Sequence, residues 1–420
     1  MNIHTLARRA RTAIRYGRDN GPVALLRLVK QVLLKQPMFA KADIVSGYGF
    51  VREQQIGEPI GSQGVKAQTV NWFIPPVGRG SGGHLNIFRF VRFLEQQGFE
   101  CRIVVSGDFP GLTGETVESE IRSWFFPLKA RAYVGSKNAP PAHITIATAW
   151  QTAYDVRNFR STIHKCYFVQ DFEPWFYASG SAASFAEETY RFGFVGITAG
   201  NWLADMLSRE YGMATHALSF SYDRELYRPL PRKDPEKRRV FFYARPNTPR
   251  RSFELGMLVL DEVARRLPGT TVAFAGADLS NFVIPFDHTD HGIMDLNQLP
   301  ELYSQCDVAL VLSFSNLSLL PLELMACGVP VVSNRAPYTE WLLTDENSRL
   351  EAPTLPALAN AICHLLTHPA EAEKLRQAGM ATAQGTDWEV EGRKLGAALR
   401  SLDADAGLAS PLSQQPTGTP

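Results

Sequence analysis

The sequence lacks the features that mark several common classes of protein. Its five cysteines are scattered and form no CxxC pair, so neither a disulfide framework nor a zinc site is expected, and a reducing cytoplasm fits best. No apolar run approaches the ~20 residues that a membrane-spanning helix needs. The first residues contain no apolar core before a small-residue cleavage site, which predicts that there is no signal peptide.

Charge of one sign and metal-binding patterns are also lacking. The 43 basic and 42 acidic side chains leave a formal net charge of +1, so we expect no general attraction to nucleic acid. No DxD metal motif stands out, and no Ser-His-Asp or Cys-His arrangement is evident. We therefore expect that the protein needs neither a metal ion nor another cofactor.

What the sequence does contain is a repeated alternation of strand and helix patterns. The 420 residues suggest two or more domains, and a hydrophobic content of 45% is enough for large cores. A strand at 69–74, a helix at about 85–97 and a strand at 102–105 form a first βαβ unit. Prolines among charges at 225–239 indicate a linker, after which a second set begins. The predicted fold class is α/β.

A glycine-rich turn joins the first strand to the first helix. Gly78, Gly80 and Gly83 form a literal G-x-G-x-x-G, the dinucleotide fingerprint, in which bare amides approach a pyrophosphate. The ribose-binding acid that belongs to this fingerprint is not cleanly placed, because Gly107 comes first and Asp108 after it. An NAD(P)-dependent oxidoreductase is therefore one interpretation of the chain.

The most unusual stretch runs from Ser313 to Asn334 and reads SFSNLSLLPLELMACGVPVVSN. It predicts a loop, a short helix, a tight turn and a buried strand. Ser318 is expected to cap the helix, and Gly328 to take the left-handed position that ends it. Glu323 is the one charge in this apolar helix. It either tolerates the positive end of the helix dipole or accepts hydrogen bonds from ligand hydroxyls, while the free amides before it face an anion.

Residues 322–332, LELMACGVPVV, resemble the donor-site motif of the retaining GT-B glycosyltransferases of family 4, where E-x7-E precedes A-C-G-x-P-V-V. The resemblance implies that Glu323 binds the ribose hydroxyls of a nucleotide sugar, and that the glycine turn approaches donor phosphate and acceptor. The first Glu of the pattern falls on Ser315, where the family contacts the transferred sugar. The donor-binding residues expected in these two segments are Gly82, Gly83, Ser315, Asn316, Leu317, Ser318, Leu319, Leu320 and Glu323.

Three arginines follow the first strand of the second domain, which we expect at 240–244. In family 4 the matching loop carries an Arg and a Lys that bind the donor diphosphate. Arg245 matches the Arg, Arg250 stands where the Lys would be, and Arg251 is a near alternative. A planar guanidinium donates two parallel bonds to phosphate oxygens. The alternative is a basic surface loop. The resemblance implies that Arg245 and Arg250 act in catalysis by neutralising the departing diphosphate.

Two carboxylates follow a strand of the first domain, which is expected at 165–170. Asp171 and Glu173 come directly after it, at the carboxyl end where parallel sheets bind ligands. They could orient sugar or acceptor hydroxyls as catalytic residues, or each could merely cap the following turn.

The two ends of the chain differ from its centre. The first 45 residues are basic, and Leu25 to Leu33 carry apolar positions at helical spacing. Such a helix can lie on an anionic membrane or pack on the protein body. The expected segments are 1–45 (basic amphipathic helix), 46–228 (first Rossmann-like domain, acceptor side), 236–384 (second, nucleotide-sugar domain), 385–402 (the crossover helix of GT-B enzymes) and 403–420 (disordered tail).

Three further segments resemble WsaF-type rhamnosyltransferases of bacterial surface polysaccharides: FVQDFEP at 168–174, GNWL at 200–203 and FYARP at 242–246. They imply a GT-B fold of two facing, doubly wound domains and a retaining transfer of L-rhamnose from dTDP-β-L-rhamnose to a lipid-linked or glycan acceptor. A small Ser315 beside Leu317 suits the methyl group of a 6-deoxysugar. The expected location is the cytoplasm, with peripheral contact of residues 1–40 to the inner face of the plasma membrane. A non-catalytic glycan-binding protein on the same fold is the remaining alternative.

Overall fold

The computed structural model of the protein describes residues 44–61 and 64–408. The basic helix expected at 1–45 lies outside the described residues except for its last two positions, as does the chain from 409 onward. Residues up to Arg52 belong to a separate unit, whose described part is a short helix, α1 (Ile44–Gly47), and a 3-10 turn (Gly49–Val51). The fold described below belongs to the second unit, which begins at Glu53.

Two parallel sheets form the framework of this unit. The strands are β1 (Thr69–Ile74), β2 (Glu100–Val105), β3 (Arg131–Val134), β4 (Ala142–Ala147), β5 (Thr162–Val169), β6 (Val195–Ala199), β7 (Thr215–Leu218), β8 (Arg238–Tyr243), β9 (Thr270–Ala275), β10 (His288–Asp290), β11 (Val308–Val311), β12 (Val331–Asn334) and β13 (Arg349–Glu351). Among the described residues the first sheet has the order β3-β2-β1-β4-β5-β6-β7, and the second has the order β10-β9-β8-β11-β12-β13.

Helices connect successive strands and cover the sheets. They are α2 (Gly82–Gln96), α3 (Gly114–Trp124), α4 (Trp150–Asn158), α5 (Ser181–Glu188), α6 (Asn201–Tyr211), α7 (Phe253–Arg266), α8 (Leu299–Ser304), α9 (Leu320–Ala326), α10 (Pro337–Glu340), α11 (Leu355–Thr367), α12 (Pro369–Gln384) and α13 (Trp388–Leu408). The chain therefore forms two doubly wound α/β domains in succession. None of the helices in the described part of the chain is long and apolar enough to cross a lipid bilayer.

Burial on both faces explains why the central strands read as continuous apolar runs. All six residues of β1 are buried, and so are all four of β11. Strands that carry helices on both faces have no solvent side, so the alternation of apolar and polar residues disappears. The strand order reverses between β1 and β4 in the first sheet and between β8 and β11 in the second. Ligands of such sheets bind outside the carboxyl ends of the strands at these reversals.

The last helix, α13, returns to the first domain. Leu395, Leu399 and Leu402 are buried in the cluster that includes β1 and α2. Gly392 allows close packing, because a Cβ at that position would lie 2.6 Å from Phe93 Cγ. The backbone oxygen of Gly392 accepts a hydrogen bond of 2.8 Å from Gln97 Nε2.

Three sequence predictions about local structure are wrong. A disordered tail was expected from Asp403, but α13 continues to Leu408, and Asp403 accepts hydrogen bonds from two histidines of the first sheet. The helix expected at about 85–97 is α2, which begins at Gly82 rather than Leu85. The Ser81 hydroxyl caps α2 by accepting a hydrogen bond from the His84 amide. Ser318 does not cap α9, which begins at Leu320 with Leu319 in a helical conformation.

Candidate active site

Loops from the two domains meet at the carboxyl ends of their strands. Asp171 follows β5 of the first domain. Arg250 and Arg251 lie in a 3-10 turn (Pro249–Arg251) that follows β8, and Ser315 lies in the loop that follows β11. The Phe314 amide donates to the Arg250 oxygen at 2.9 Å, which joins the two loops of the second domain. The structure thus brings together residues from three of the predicted site segments.

Asp171 is the carboxylate at the centre of this meeting point. Its Oδ2 accepts a hydrogen bond of 3.1 Å from Ser315 Oγ and lies 3.5 Å from Arg250 Nε, and both partners belong to the opposite domain. Burial raises the pKa of Asp171, while Arg251 and Arg250 act in the opposite direction. The position where family 4 has its first Glu is therefore occupied by a serine that donates to an aspartate across the cleft.

Two of the three arginines, Arg250 and Arg251, act on this carboxylate, and the third, Arg245, interacts with Arg251. Arg251 Nη1 donates to Ser313 Oγ at 2.8 Å and to the Asn316 oxygen at 3.1 Å. Burial lowers the pKa of Arg251; nearby Asp171 raises it, and Arg250 and Arg245 lower it further. Arg245 is more exposed and donates to the Gly276 oxygen at 3.3 Å. Arg250 and Arg251 share the charge of Asp171, and Arg245 adds a further cation that acts on Arg251, so the cluster is electrostatically suited to an anionic ligand.

Asn316 joins the two domains through its side-chain amide. Its Nδ2 donates to the backbone oxygens of Gln170 and Ala199, both at 3.0 Å. Its Oδ1 accepts from Trp341 Nε1 at 2.8 Å and from the Leu317 amide at 2.9 Å. These bonds occupy the amide group of Asn316. Asn316 was predicted to bind the donor, but in this structure its side chain joins the two domains.

The remaining predicted residues of this loop are mostly turned inward. The side chains of Leu317, Leu319 and Leu320 are buried in the apolar cluster beneath the second sheet. Only their backbone groups can therefore reach a ligand at this edge of the domain. Ser318 is half-buried.

Glu173 is a buried carboxylate whose two oxygens are both bonded to the first domain. Oε2 accepts from the Trp150 amide at 2.9 Å, and Oε1 accepts from the Tyr167 hydroxyl at 2.7 Å. Burial raises the pKa of Glu173 to about 7, and these two hydrogen bonds lower it. The geometry makes Glu173 an anchor for the turn that begins with it, rather than a group that faces the cleft.

The glycine turn is connected to the end of β5. Gln170 Nε2 donates to the Gly83 oxygen at 3.2 Å, and Gln170 Oε1 accepts from Asn86 Nδ2 at 3.1 Å. A Cβ at Gly83 would meet Gln170 Nε2 at 3.5 Å, whereas Gly82 has open space around it. Gly82 and Gly83 lie in the first turn of α2, where backbone amides have no intrahelical partner.

Glu323 faces a different set of residues. Burial raises its pKa to about 7, and the charge of Arg89 on α2 and the Tyr227 hydroxyl lower it. Burial also lowers the pKa of Arg89, whose guanidinium carbon lies 4.9 Å from the centre of the Trp388 ring. Arg89 Nη1 and Trp388 Nε1 are buried without a hydrogen-bond partner. Buried donors left in this state favour a polar ligand or water at this point.

Sequence reasoning missed several of these residues. Arg89 interrupts an apolar run on α2, and a cation in such a position indicates a buried partner. Gln170 and Trp341 gave no signal, because they act through contacts with residues that are distant in the chain.

One group of side chains in the described residues has the spacing of metal ligands. The ligand atoms of His143, His164 and Asp403 lie within 4.8 Å of one another. The group lies near the amino ends of β4 and β5, at the opposite edge of the sheet from Asp171. His143 Nδ1 is buried without a partner. A metal on Nε2 would place a proton on that isolated nitrogen, so the site favours hydrogen bonds to Asp403 over a metal ion.

Comparison with known proteins gives consistent results over the two domains. Residues 238–363 match the family described as WsaF, C-terminal domain. Over 338 residues the chain is 32% identical to the O-antigen biosynthesis protein RfbC of Myxococcus xanthus. This match covers 78% of the chain but 26% of RfbC, so the chain spans about a quarter of the length of that relative.

Solved structures of glycosyltransferases have the same architecture. Sucrose-phosphate synthase of Thermosynechococcus elongatus matches with a TM-score of 0.63 at 16% identity, covering 80% of this chain and 100% of that one. Anabaena HepE, solved with UDP and glucose, gives 0.62 at 15% identity with the same coverage. Staphylococcus aureus TarM, solved with UDP and glycan ligands, gives 0.65 at 9% identity, covering 79% and 100%. These similarities show that the chain has the GT-B fold of these glycosyltransferases, and that residues 238–363 resemble the WsaF C-terminal domain.

Proposed function

We propose that the protein is a retaining glycosyltransferase that adds a sugar from a nucleotide donor to a bacterial surface glycan. The observation that carries this proposal is the pair Arg250 and Arg251 at Asp171, with Arg245 acting on Arg251, at the strand reversal of the second sheet. A sugar nucleotide presents a diphosphate, which suits three arginines in a partly buried cleft. RfbC is named for O-antigen biosynthesis, and the HepE and TarM structures contain UDP, which agrees with this substrate class.

The donor would lie across the second domain. Arg245, Arg250 and Arg251 bind its diphosphate, with the amides before Leu320 and those of Gly82 and Gly83 as further donors. Glu323 accepts hydrogen bonds from the ribose hydroxyls. The unpartnered Nη1 of Arg89, whose charge acts on Glu323, supports a polar ligand there.

In the proposed reaction the bond between the anomeric carbon and the diphosphate oxygen breaks, and a bond to the acceptor oxygen forms on the same face. The acceptor proton passes to the departing diphosphate. Negative charge develops on that group in the transition state, so fixed arginine donors lower the barrier. Arg250 and Arg245 thereby take the place of a metal ion. Asp171 orients a sugar or acceptor hydroxyl, while Glu173 acts indirectly by fixing its own turn.

We propose dTDP-β-L-rhamnose as the donor. The usual Glu is replaced by Ser315, which is smaller and uncharged. A buried carboxylate facing the methyl group of a 6-deoxysugar would lose its partners at a cost of ~1–3 kcal/mol. Asp171 lies beside Ser315, but its Oδ2 already has Ser315 and Arg250 as partners. The acceptor is a lipid-linked or free glycan, and the reaction takes place in the cytoplasm or at the inner face of the plasma membrane.

A donor panel tests the proposal. We expect dTDP-β-L-rhamnose to raise the melting temperature and to support transfer, and UDP-glucose to do neither at the same concentration. Mass spectrometry of nucleotide sugar that copurifies with the protein gives an independent result. A clear preference for UDP-glucose would overturn the rhamnose assignment. Quenching of NADH fluorescence without binding of any sugar nucleotide would overturn the transferase itself.

A further inference from the structure

Three aromatic side chains, contributed by both domains, form a cluster. The rings of Trp175 and Trp202 lie 6.0 Å apart at 32°. The ring of Tyr338 lies 5.8 Å from Trp175 and 5.7 Å from Trp202, edge-on to both. Trp175 and Trp202 belong to the first domain and Tyr338 to α10 of the second. We call these three residues the aromatic platform.

The platform adjoins the arginine cluster. Trp175 lies in the 3-10 turn Glu173–Phe176, four residues after Asp171, so their Cα atoms are at most about 14 Å apart. In the same turn, the Phe176 ring centre lies 3.7 Å from the guanidinium carbon of Arg250. The Cα separation of Asp171 and Trp175, at most about 14 Å, corresponds to the length of a few linked sugar rings. A glycan that extends from the reacting centre would therefore reach the platform.

The local structure holds these rings in place. Glu173 anchors the turn through its bonds to Trp150 and Tyr167. Trp175 packs edge-on against Phe172 at 4.9 Å. Even so, Trp175 remains 47% exposed, an unusual state for a tryptophan held by neighbours on two sides. An exposed and preorganised aromatic surface indicates a binding role.

We propose that the aromatic platform is the acceptor subsite, and that it binds pyranose rings of the acceptor glycan through their apolar faces. The C–H groups of a sugar ring carry partial positive charge and are attracted to the negative faces of aromatic rings. Phenol and indole groups also offer hydrogen-bond donors to the sugar hydroxyls. The inference rests on the proposed function and adds to it the place where the acceptor binds. Because the platform draws residues from both domains, its complete form exists only when the cleft is closed.

Tryptophan fluorescence and kinetics of matched variants test this subsite. The probe is an α-linked L-rhamnose trisaccharide, and the variants are Trp175→Ala, Trp175→Phe and Trp124→Ala. Trp124 is a matched control, because it is 37% exposed and lies at the end of α3. We expect the trisaccharide to change the fluorescence of the wild type and of Trp124→Ala but not of Trp175→Ala. The acceptor KM of Trp175→Ala should rise about tenfold with unchanged donor KM, and Trp175→Phe should recover part of the loss.

The outcomes separate the subsite from the proposed function. If donors transfer sugar but Trp175→Ala and Trp124→Ala have equal acceptor KM values, the subsite is wrong and the transferase stands. If no donor binds while the trisaccharide still requires Trp175, the platform is a glycan-binding site, and its assignment as an acceptor subsite falls with the transferase. If Trp175→Ala instead dissociates a dimer in sedimentation, the patch is an interface between copies of the chain and the proposal is overturned. Thermal melting of each variant verifies that it is folded.

Discussion

Asp171 shows how the site balances charge at the scale of single residues. It is desolvated, which by itself would favour its neutral form, and it is kept near two arginines and a serine hydroxyl. The arginines in turn outnumber it. Asp171 compensates part of their charge, and the diphosphate of the proposed donor would supply the remainder. We therefore expect that removing one arginine weakens the binding of a diphosphate more than it destabilises the fold.

We expect Arg250→Ala to reduce turnover about ten- to a hundredfold, because a hydrogen bond to a charged group is worth about 1.5–3 kcal/mol. Arg250→Lys should recover part of the activity, since it keeps the charge but loses the planar fork. Arg102→Ala is the control. Arg102 is buried to a similar degree and also pairs with a carboxylate, but it lies near the amino end of β2, away from the candidate site. The measurement is kcat with saturating donor. Equal losses in the two alanine variants would contradict the role of Arg250.

Metal independence is tested with the same assay. If arginines neutralise the diphosphate, EDTA should leave the activity of the wild type unchanged. Full inhibition by EDTA that manganese reverses would show that this assignment is wrong.

Glu323 should make donor binding depend on pH. Its pKa in the donor-free protein is raised to about 7 by burial, and only the ionised carboxylate accepts charge-assisted bonds from ribose. Donor affinity should therefore increase as the pH rises through about 7, by about five- to tenfold. Glu323→Gln should bind the donor weakly and with little pH dependence, as measured by calorimetry between pH 6 and 8. A wild-type affinity that is flat over this range contradicts the prediction.

The stability of the donor-free protein should respond with the opposite sign. A carboxyl group whose pKa is raised on folding adds stability at low pH, and this contribution is lost as the pH rises through its folded pKa. The melting temperature of the wild type should therefore fall more between pH 5 and 8 than that of Glu323→Gln.

At the scale of secondary structure, α13 is held at both ends. Near its start, Gln97 bonds to Gly392, and near its end Asp403 accepts from His143 at 3.0 Å and from His164 at 2.8 Å. The contacts of Asp403 join the helix to the amino ends of β4 and β5. They give the end of α13 a fixed position where the sequence alone indicates a tail.

We expect Asp403→Ala to destabilise the protein slightly, by about 1 kcal/mol or less, because the carboxylate is 61% exposed. His164 and His143 lower the pKa of Asp403. Its contribution is therefore present at neutral pH and lost as the pH falls through that lowered value. Hydrogen exchange should accelerate at the end of α13. The control is Asp345→Ala, which removes a 63% exposed partner of Arg335; faster exchange at α13 in both variants would contradict the assignment.

Secondary structure was predictable where local patterns determine it. The expected strand at 69–74 coincides with β1, and the expected strand at 240–244 overlaps β8. The site was predictable as a set of separate segments, because each follows a strand. The bonds between them were not, since Asn316 reaches partners 146 and 117 positions away in the chain. Their pairing depends on how the domains face each other, about which no local pattern carries information.

At the scale of the whole molecule, the basic segment ahead of the described residues has its own prediction. Deleting residues 1–40 should weaken binding to anionic liposomes but leave transfer to a water-soluble acceptor unchanged, because the site residues all lie beyond position 80. Flotation assays with phosphatidylserine vesicles measure the binding, and phosphatidylcholine vesicles serve as the control. Unchanged flotation of the truncated protein would reject membrane contact through this segment.

The bonds of Asn316 also bear on how the cleft opens. It joins the domains through polar groups, whose bonds can be exchanged for bonds to water at a net cost of about 0.5–1.5 kcal/mol each. In the proposed reaction the spent nucleotide would leave only after such bonds break, so they would slow product departure rather than the chemical step. Bonds that exchange readily with water would let the cleft open in each cycle of the proposed reaction, whereas an apolar interface of the same area would retain the product.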